Sequence, residues 1–173
     1  MSLQLMKTYD VNATCIKSVE AVSEDLILFN IEMRSTLNFD SRPYHWRCDF
    51  GNVPPLDLSL DSETGLIKEI TVFISKKTLI RDYNCNCMYS NELKGYPSFN
   101  TKIWTKHEYY YDEFLDIGMY LDNSMLNVLL KGRVASVRLE VNNVLDILFD
   151  EKNLFIGFVV KNLDSKELYF FER

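Results

Sequence analysis

Apolar side chains recur at every second position through much of the second half of the chain. A period of two, rich in β-branched and aromatic residues, is typical of strands that bury one face. The pattern predicts four strands in this half. Their inward-facing residues are Leu126, Val128 and Leu130, then Val137, Leu139 and Val141, then Leu145, Ile147 and Phe149, and finally Ile156, Phe158 and Val160.

The first half shows the same pattern. Its inward-facing residues are Ile27, Phe29 and Ile31, then Trp46, Cys48 and Phe50, then Leu56, Leu58 and Leu60, and finally Ile70, Val72 and Ile74. Two segments, residues 47–61 and 138–150, also agree in their order of residue types. Each contains an Arg, an acid two positions later, an Asn-Val turn and an alternating strand that ends in Asp. This agreement predicts an internal repeat.

We therefore predict a mainly β fold in which residues 1–173 form a single domain. Residues of about 22–80 and 118–168 form two tandem four-stranded antiparallel meanders, packed as a sandwich or as one curled sheet. Residues 81–117 form an aromatic-rich insert between them. Gly65 and Asn153 fall at equivalent turns, and both residue types tolerate the left-handed conformation, so we predict a positive φ at both.

Two segments leave their secondary structure open. Residues 11–22 and residues 101–116 each suit either a strand or a short helix. The end of the chain, Leu168-Tyr169-Phe170-Phe171, is an apolar run that predicts a closing strand. If that strand were exposed, it would offer an edge for homo-oligomerisation.

Residues 145–158 read L-D-I-L-F-D-E-K-N-L-F-I-G-F. With the flanking segments, residues 125–163 resemble a small bacterial family of β-repeat domains of unknown function. Members of that family show a strand, a hairpin of the type D-x-D-x-x-G-x-x-x-G and a closing strand. Asn153 stands where the family usually has Gly. The resemblance covers under a quarter of the chain, and it implies a fold rather than an activity.

Composition narrows the classes of partner. The 173 residues are 47% hydrophobic and carry a formal net charge of -6. This charge argues against a broad grip on nucleic acid, which needs clustered Lys and Arg, and it suits docking on a basic protein. No apolar run approaches the roughly 20 residues of a membrane span, and no signal peptide is visible, so we expect a cytoplasmic protein that binds no membrane. The four cysteines are then expected to be reduced.

Strand register predicts acidic pairs. If Phe50 pairs with Leu56, and Val141 with Leu145, each hairpin places two acids opposite each other with an Arg on the same face. The residues concerned are Asp49, Asp57 and Arg47 in the first half, and Glu140, Asp146 and Arg138 in the second. One interpretation is a solvated surface that the Arg neutralises. The others are a cation site, a docking patch for a partner, and general acid–base catalysis.

The insert offers a second candidate surface, formed by Trp104, Tyr109, Tyr110 and Tyr111 with acids on either side. Tyr and Trp are favoured anchors at protein interfaces. The alternative is a core element whose Tyr hydroxyls reach solvent. Three consecutive Tyr residues cannot all face inward, so at least one is expected to be accessible.

Other chemistries lack a motif. The chain has no nucleophile elbow and no Gly-rich phosphate loop. Cys85 and Cys87 form a C-x-C pair, and with His107 they match structural zinc spacing poorly, so no metal and no cofactor are predicted. The same Cys and His residues lack any signature of a nucleophilic pair.

The sequence favours a protein that acts by binding rather than as an enzyme. The leading hypothesis is a cytoplasmic bacterial protein–protein interaction module, such as an immunity or antitoxin-type inhibitor whose acidic, Tyr-rich face blocks a basic toxin. One alternative is a small-ligand or carbohydrate-binding β protein with the insert aromatics lining a cleft. Another is a hydrolase that uses the paired carboxylates.

Overall fold

The computed structural model describes residues 3–37, 41–51, 53–83, 88–105 and 107–172. The predicted mainly β fold is confirmed. The elements are β1 (Leu5–Tyr9), β2 (Ala13–Ala21), β3 (Leu26–Ser35), β4 (Pro43–Asp49), β5 (Leu56–Asp61), β6 (Ile67–Ser75), β7 (Ile80–Arg81), β8 (Asn91–Lys94), β9 (Tyr96–Phe99), β10 (Tyr110–Phe114), β11 (Ile117–Asp122), β12 (Met125–Leu130), β13 (Val137–Glu140), β14 (Leu145–Phe149), β15 (Phe155–Val160) and α1 (Ser165–Tyr169).

Two large sheets share one strand order. The six-stranded sheet runs β10-β4-β5-β6-β3-β2, and the seven-stranded sheet runs β8-β13-β14-β15-β12-β11-β7. In each, an insert strand lies parallel to the outermost hairpin strand: β10 beside β4, and β8 beside β13. A separate two-stranded sheet joins β1 to β9. The segment left open at residues 11–22 is therefore a strand, β2, and the segment at 101–116 contains the strand β10.

The predicted meander order is not what the strands adopt. β3 lies beside β6 rather than beside β4, and β12 lies beside β15 rather than beside β13. The hairpins β4-β5-β6 and β13-β14-β15 each keep their neighbours in chain order. The strand that precedes each hairpin unit pairs with the last strand of that unit, so one of its two neighbours is distant in sequence.

The inward-facing residues of all three sheets form one buried core. The ring of Trp46 in the six-stranded sheet lies 5.5 Å from that of Phe155 in the seven-stranded sheet. Cys48 is fully buried, as its alternation with Trp46 predicts, and burial raises the pKa of its thiol to about 12. Such a thiol behaves as a small apolar side chain.

Ile156 departs from the predicted core face. It packs with Leu148 and Val159 on the opposite face of the sheet. The cause is a β-bulge: Leu148 pairs with Gly157 and Phe149 pairs with Phe155, so Ile156 is the extra residue. The predicted inward role of Ile156 is therefore wrong, and Phe155 takes it instead.

The turns that follow β5 and β14 share an Asp at their start and a left-handed residue near their end, although the first turn is one residue longer. The predicted positive φ is confirmed at Gly65, with φ 71°, and at Asn153, with φ 60°. Asp61 accepts a hydrogen bond from the backbone N–H of Thr64 at 2.8 Å, and Asp150 accepts one from that of Leu154 at 2.9 Å. An Asp side chain that binds the backbone ahead of it fixes such a turn.

Asp61 links stability to pH. Burial raises the pKa of its carboxyl, but hydrogen bonds from Ser41, Thr64 and Glu63 outweigh burial and hold that pKa below its ordinary value. A carboxylate of lowered pKa stabilises the folded state above its unfolded pKa, and this contribution is lost as pH falls through the folded pKa. We expect the free energy of unfolding to decrease as the pH is lowered below about 4. The slope of the free energy of unfolding against pH should be smaller in Asp61→Asn. Urea unfolding between acidic and neutral pH measures both slopes. The exposed-site control Asp10→Asn should keep the wild-type slope; equal slopes in Asp61→Asn and wild type would contradict this role.

The end of the chain is a short helix, so the predicted closing strand is wrong. Asp164 caps α1 through the backbone N–H groups of Lys166 and Glu167, and the Glu167 carboxylate accepts from the Asp164 N–H. This reciprocal cap favours a helical turn over an extended strand. Phe171 is buried in the core, and Tyr169 is exposed. Across the residues described, no helix has the length and apolar character needed to cross a membrane.

Candidate functional site

The exposed face of β10 is the best-formed candidate surface. Side chains alternate along this strand: Tyr110, Asp112 and Phe114 are exposed, whereas Tyr111 and Glu113 are half-buried. Phe114 is 82% exposed and Tyr110 is 55% exposed. We call these three exposed residues the β10 face. The rings of Tyr110 and Phe114 make this face largely apolar, and the Asp112 carboxylate lies between them.

Residues of β4 hold Tyr110 in place. The His45 ring stacks on the Tyr110 ring with centroids 4.9 Å apart, and the Arg47 guanidinium lies 4.7 Å from the same ring centre. His45 Nδ1 lies 2.9 Å from an Asp57 carboxylate oxygen. Tyr110 is therefore exposed but oriented by its neighbours, which lowers the entropic cost of using it in binding.

Arg47 and Asp112 form a two-pronged ion pair across β4 and β10. Arg47 Nε donates to Asp112 Oδ1 at 2.6 Å, and Nη2 donates to Oδ2 at 2.8 Å. The hydrogen bond to Asp112 is the largest of the effects that raise the pKa of Arg47. The parallel register that places these residues opposite each other thus neutralises the middle of the β10 face.

The other predicted aromatic residues stabilise the fold beneath this face. Trp104 is buried and stacks on Tyr44 with centroids 5.1 Å apart. Tyr111 is half-buried and packs edge-on against Trp104. The Arg42 guanidinium covers the Tyr109 ring at 3.6 Å. The expectation that at least one of the three tyrosines is accessible is confirmed by Tyr110.

The predicted acidic pair of the first half does not form. Asp57 lies opposite Arg47, because Cys48 rather than Phe50 pairs with Leu56. Two consecutive prolines precede Leu56 and cannot donate to a ladder, so the hairpin ends before Phe50. Asp49 instead accepts a hydrogen bond from the Gly51 N–H.

The predicted pair of the second half is confirmed, since Glu140 lies opposite Asp146. The solvated-surface interpretation is wrong for Asp146, which is 3% exposed. Arg138 Nε donates to one of its oxygens at 2.9 Å, and Lys161 Nζ donates to the other at 2.6 Å. These three residues line a cavity of about 180 Å³. Because both oxygens already bind cations, the group forms a structural ion cluster, and Asp146 is poorly placed as a base.

The strand pairings relate the two hairpins differently from the sequence alignment. Arg47 pairs with Asp57 as Glu140 pairs with Asp146, so Glu140 rather than Arg138 holds the place of Arg47. His45 holds the place of Arg138, and each contacts the acid diagonally across the hairpin. The two alignments of β4 with β13 differ by two residues. Because side chains alternate with a period of two, this shift keeps each residue on the same face of the sheet, so the residue types match in either alignment.

Sequence reasoning missed Phe114. Its alternation with Asp112 and Tyr110 is a signal for a strand, but the sequence of residues 101–116 suits a short helix equally well. Cys85 and Cys87 lie outside the described residues, and His107 is exposed. Among the residues that the structure describes, no group of three or more His, Cys, Asp or Glu side chains is placed to hold a metal ion.

Comparison with known proteins adds no relative. The chain matches no protein-family model, and no curated protein matches its sequence.

Proposed function

We propose that this chain acts as a binding module that recognises another protein through the β10 face. The observation that carries the proposal is the exposure of Phe114 and Tyr110 on one side of one strand. Exposed aromatic side chains on a rigid element bury much area with little loss of rotamer freedom. The tyrosine is already oriented by His45 and Arg47.

Charge indicates a basic partner. Glu108 and Asp116 flank β10 and are exposed, and Asp49 lies opposite Phe114 on β4. Because Asp112 is already paired with Arg47, the flanking acids determine the electrostatic potential around the two exposed rings. With the net charge of -6, this arrangement favours encounter with a surface rich in Lys and Arg.

In its specific form, the proposal is a cytoplasmic bacterial inhibitor of the immunity or antitoxin type, which covers a basic surface of a toxin. Burial of Trp104 favours this form over a ligand site lined by the insert aromatics. The proposal includes a duplicated β unit whose two large sheets pack face to face. The shared strand order and the shared core support that part of it.

Site-specific photo-crosslinking in the native cell tests the surface. A crosslinking amino acid replaces Phe114 in one variant and Val134 in the control, because Val134 is comparably exposed, at 79%, in a loop of the other half. We expect one basic protein to crosslink at position 114 and not at 134. Equal labelling at both positions, or labelling at 134 alone, would contradict the proposal.

The affinity of the identified partner provides the quantitative prediction. We expect Phe114→Asp to weaken binding by at least about 30-fold, the effect of losing one interface hot spot. Val134→Asp should leave the affinity within about twofold, as expected for a surface change outside the interface. Both affinities can be measured by calorimetric titration, with circular dichroism to verify folding. An unchanged affinity in a folded Phe114→Asp protein would remove the β10 face from the interface.

A further inference from the structure

We propose that the partner binds as an extended basic segment that adds one more strand to the free edge of β10. This inference rests on the proposed function and specifies its mode. β10 is the terminal strand of the six-stranded sheet, and in the described part of the chain no strand pairs with its other side. A terminal strand presents a row of backbone donors and acceptors to an incoming strand.

The ladder with β4 shows which backbone groups of β10 point outward. The His45 N–H donates to Tyr109 O at 2.7 Å, and the Leu115 N–H donates to Asp49 O at 3.1 Å. In a parallel ladder, alternate residues of a strand bond to the same neighbour. The odd-numbered residues of this segment therefore face β4. The backbone N–H and C=O groups of Tyr110, Asp112 and Phe114 point to the open edge.

The same three residues carry the exposed side chains, so edge and face act together. An added strand would place alternate side chains beside Tyr110 and Phe114, where apolar groups fit. Its remaining side chains would lie near the Glu113 carboxylate, which is half-buried and accepts a hydrogen bond from Trp46 Nε1 at 2.6 Å. The ends of the added strand would meet the exposed acids Glu108 and Asp116, and lysine suits all three acids. The pattern expected of the partner is therefore alternating basic and apolar residues.

Charge selects this occupant over a second copy of the chain. Two copies paired through β10 would bring together two sets of the acids of residues 108–116, and each copy carries a net charge of -6. Like charges opposite each other on neighbouring strands are destabilising. A lysine-containing strand meets the same acids with the opposite sign.

The test uses the full protein with a capped heptapeptide, Lys-Val-Lys-Phe-Lys-Val-Lys, and two N-methylated derivatives of it that are isomers of each other. One isomer is N-methylated at the three apolar residues, and the other at three of the lysines. Net charge and side chains are the same in all three. Because N–H groups alternate between the two edges of an extended strand, only one isomer can still present its donors to β10. Fluorescence anisotropy measures each affinity.

We expect the parent peptide to bind and one isomer to bind at least tenfold more weakly than the other. Hydrogen exchange should slow at the amides of Tyr110, Asp112 and Phe114 when the parent binds. A peptide with Glu in place of Lys should not bind.

Equal affinities for the two isomers, or no binding of the parent, would overturn strand addition. A dimer at micromolar concentration in sedimentation without peptide would overturn the choice of occupant. Retention of the Phe114 crosslink in any of these cases would show that the proposed function survives without this mode.

Discussion

Gly65→Ala is expected to lower the free energy of unfolding by about 3 kcal/mol or more, since a left-handed Ala costs about 1–2 kcal/mol and overpacking adds a similar amount. Gly65 has φ 71°, and a Cβ built there would lie 2.0 Å from Phe99 O. The Phe99 N–H also donates to Gly65 O at 2.8 Å. Relief of the clash would therefore disturb the contact between the β5 turn and β9.

Asn153→Ala is the matched control for this effect. Asn153 has φ 60° at the corresponding turn of the other hairpin and already carries a Cβ. Its replacement should cost only the conformational part, about 1 kcal/mol. Urea unfolding followed by tryptophan fluorescence measures both variants. Equal losses would show that conformation alone matters and that the approach to Phe99 is unimportant.

Asp146→Ala is expected to cost about 3–5 kcal/mol, the usual penalty for removing one partner of a buried ion pair. The substitution would leave Arg138 and Lys161 facing each other across a small cavity without the carboxylate between them. Asp57→Ala is the control, since Asp57 has the equivalent place but is partly exposed and contacts His45. We expect that control to cost about 1 kcal/mol or less.

A double variant separates lost charge balance from lost packing. Asp146→Leu combined with Lys161→Met removes one charge of each sign and fills the same space with apolar side chains. The double variant should therefore recover part of the stability lost in Asp146→Ala. Thermal and chemical unfolding of the full chain measure the recovery. A double variant as unstable as Asp146→Ala would show that packing around the cavity, rather than uncompensated charge, sets the cost.

Local pattern was sufficient for the eight strands with clear alternation and for most of their buried residues. The alternation around Trp46 and Leu58 identified residues that are fully buried, and the turn chemistry identified the left-handed Gly65 and Asn153. These features depend on neighbours in sequence, since side-chain period and turn conformation are set within a few residues. The diagonal contact of Arg138 with Asp146 was predictable for the same reason.

Features that depend on distant partners were not predictable. The bulge at Ile156 shifts the strand by one residue and changes which side chain enters the core. The place of β3 beside β6 depends on which edge of a hairpin is open, which local sequence does not encode. The candidate site has the same origin: the parallel pairing of β10 with β4 turns Tyr110 and Phe114 outward and buries Trp104 through contacts with the first half.

The insert supplies an edge strand, β10 or β8, to each of the two large sheets, and the ion pairs at these two edges have opposite polarity. Arg47 meets Asp112 at one edge, whereas Glu140 meets Lys94 at the corresponding place on the other. A chain that exchanged β8 and β10 during folding would set Asp112 against Glu140 and Lys94 against Arg47. Both contacts would be repulsive. The reversed polarity therefore distinguishes the native placement of β8 and β10 from the exchanged one. It favours the native placement, in which the Tyr110 and Phe114 rings are exposed to solvent.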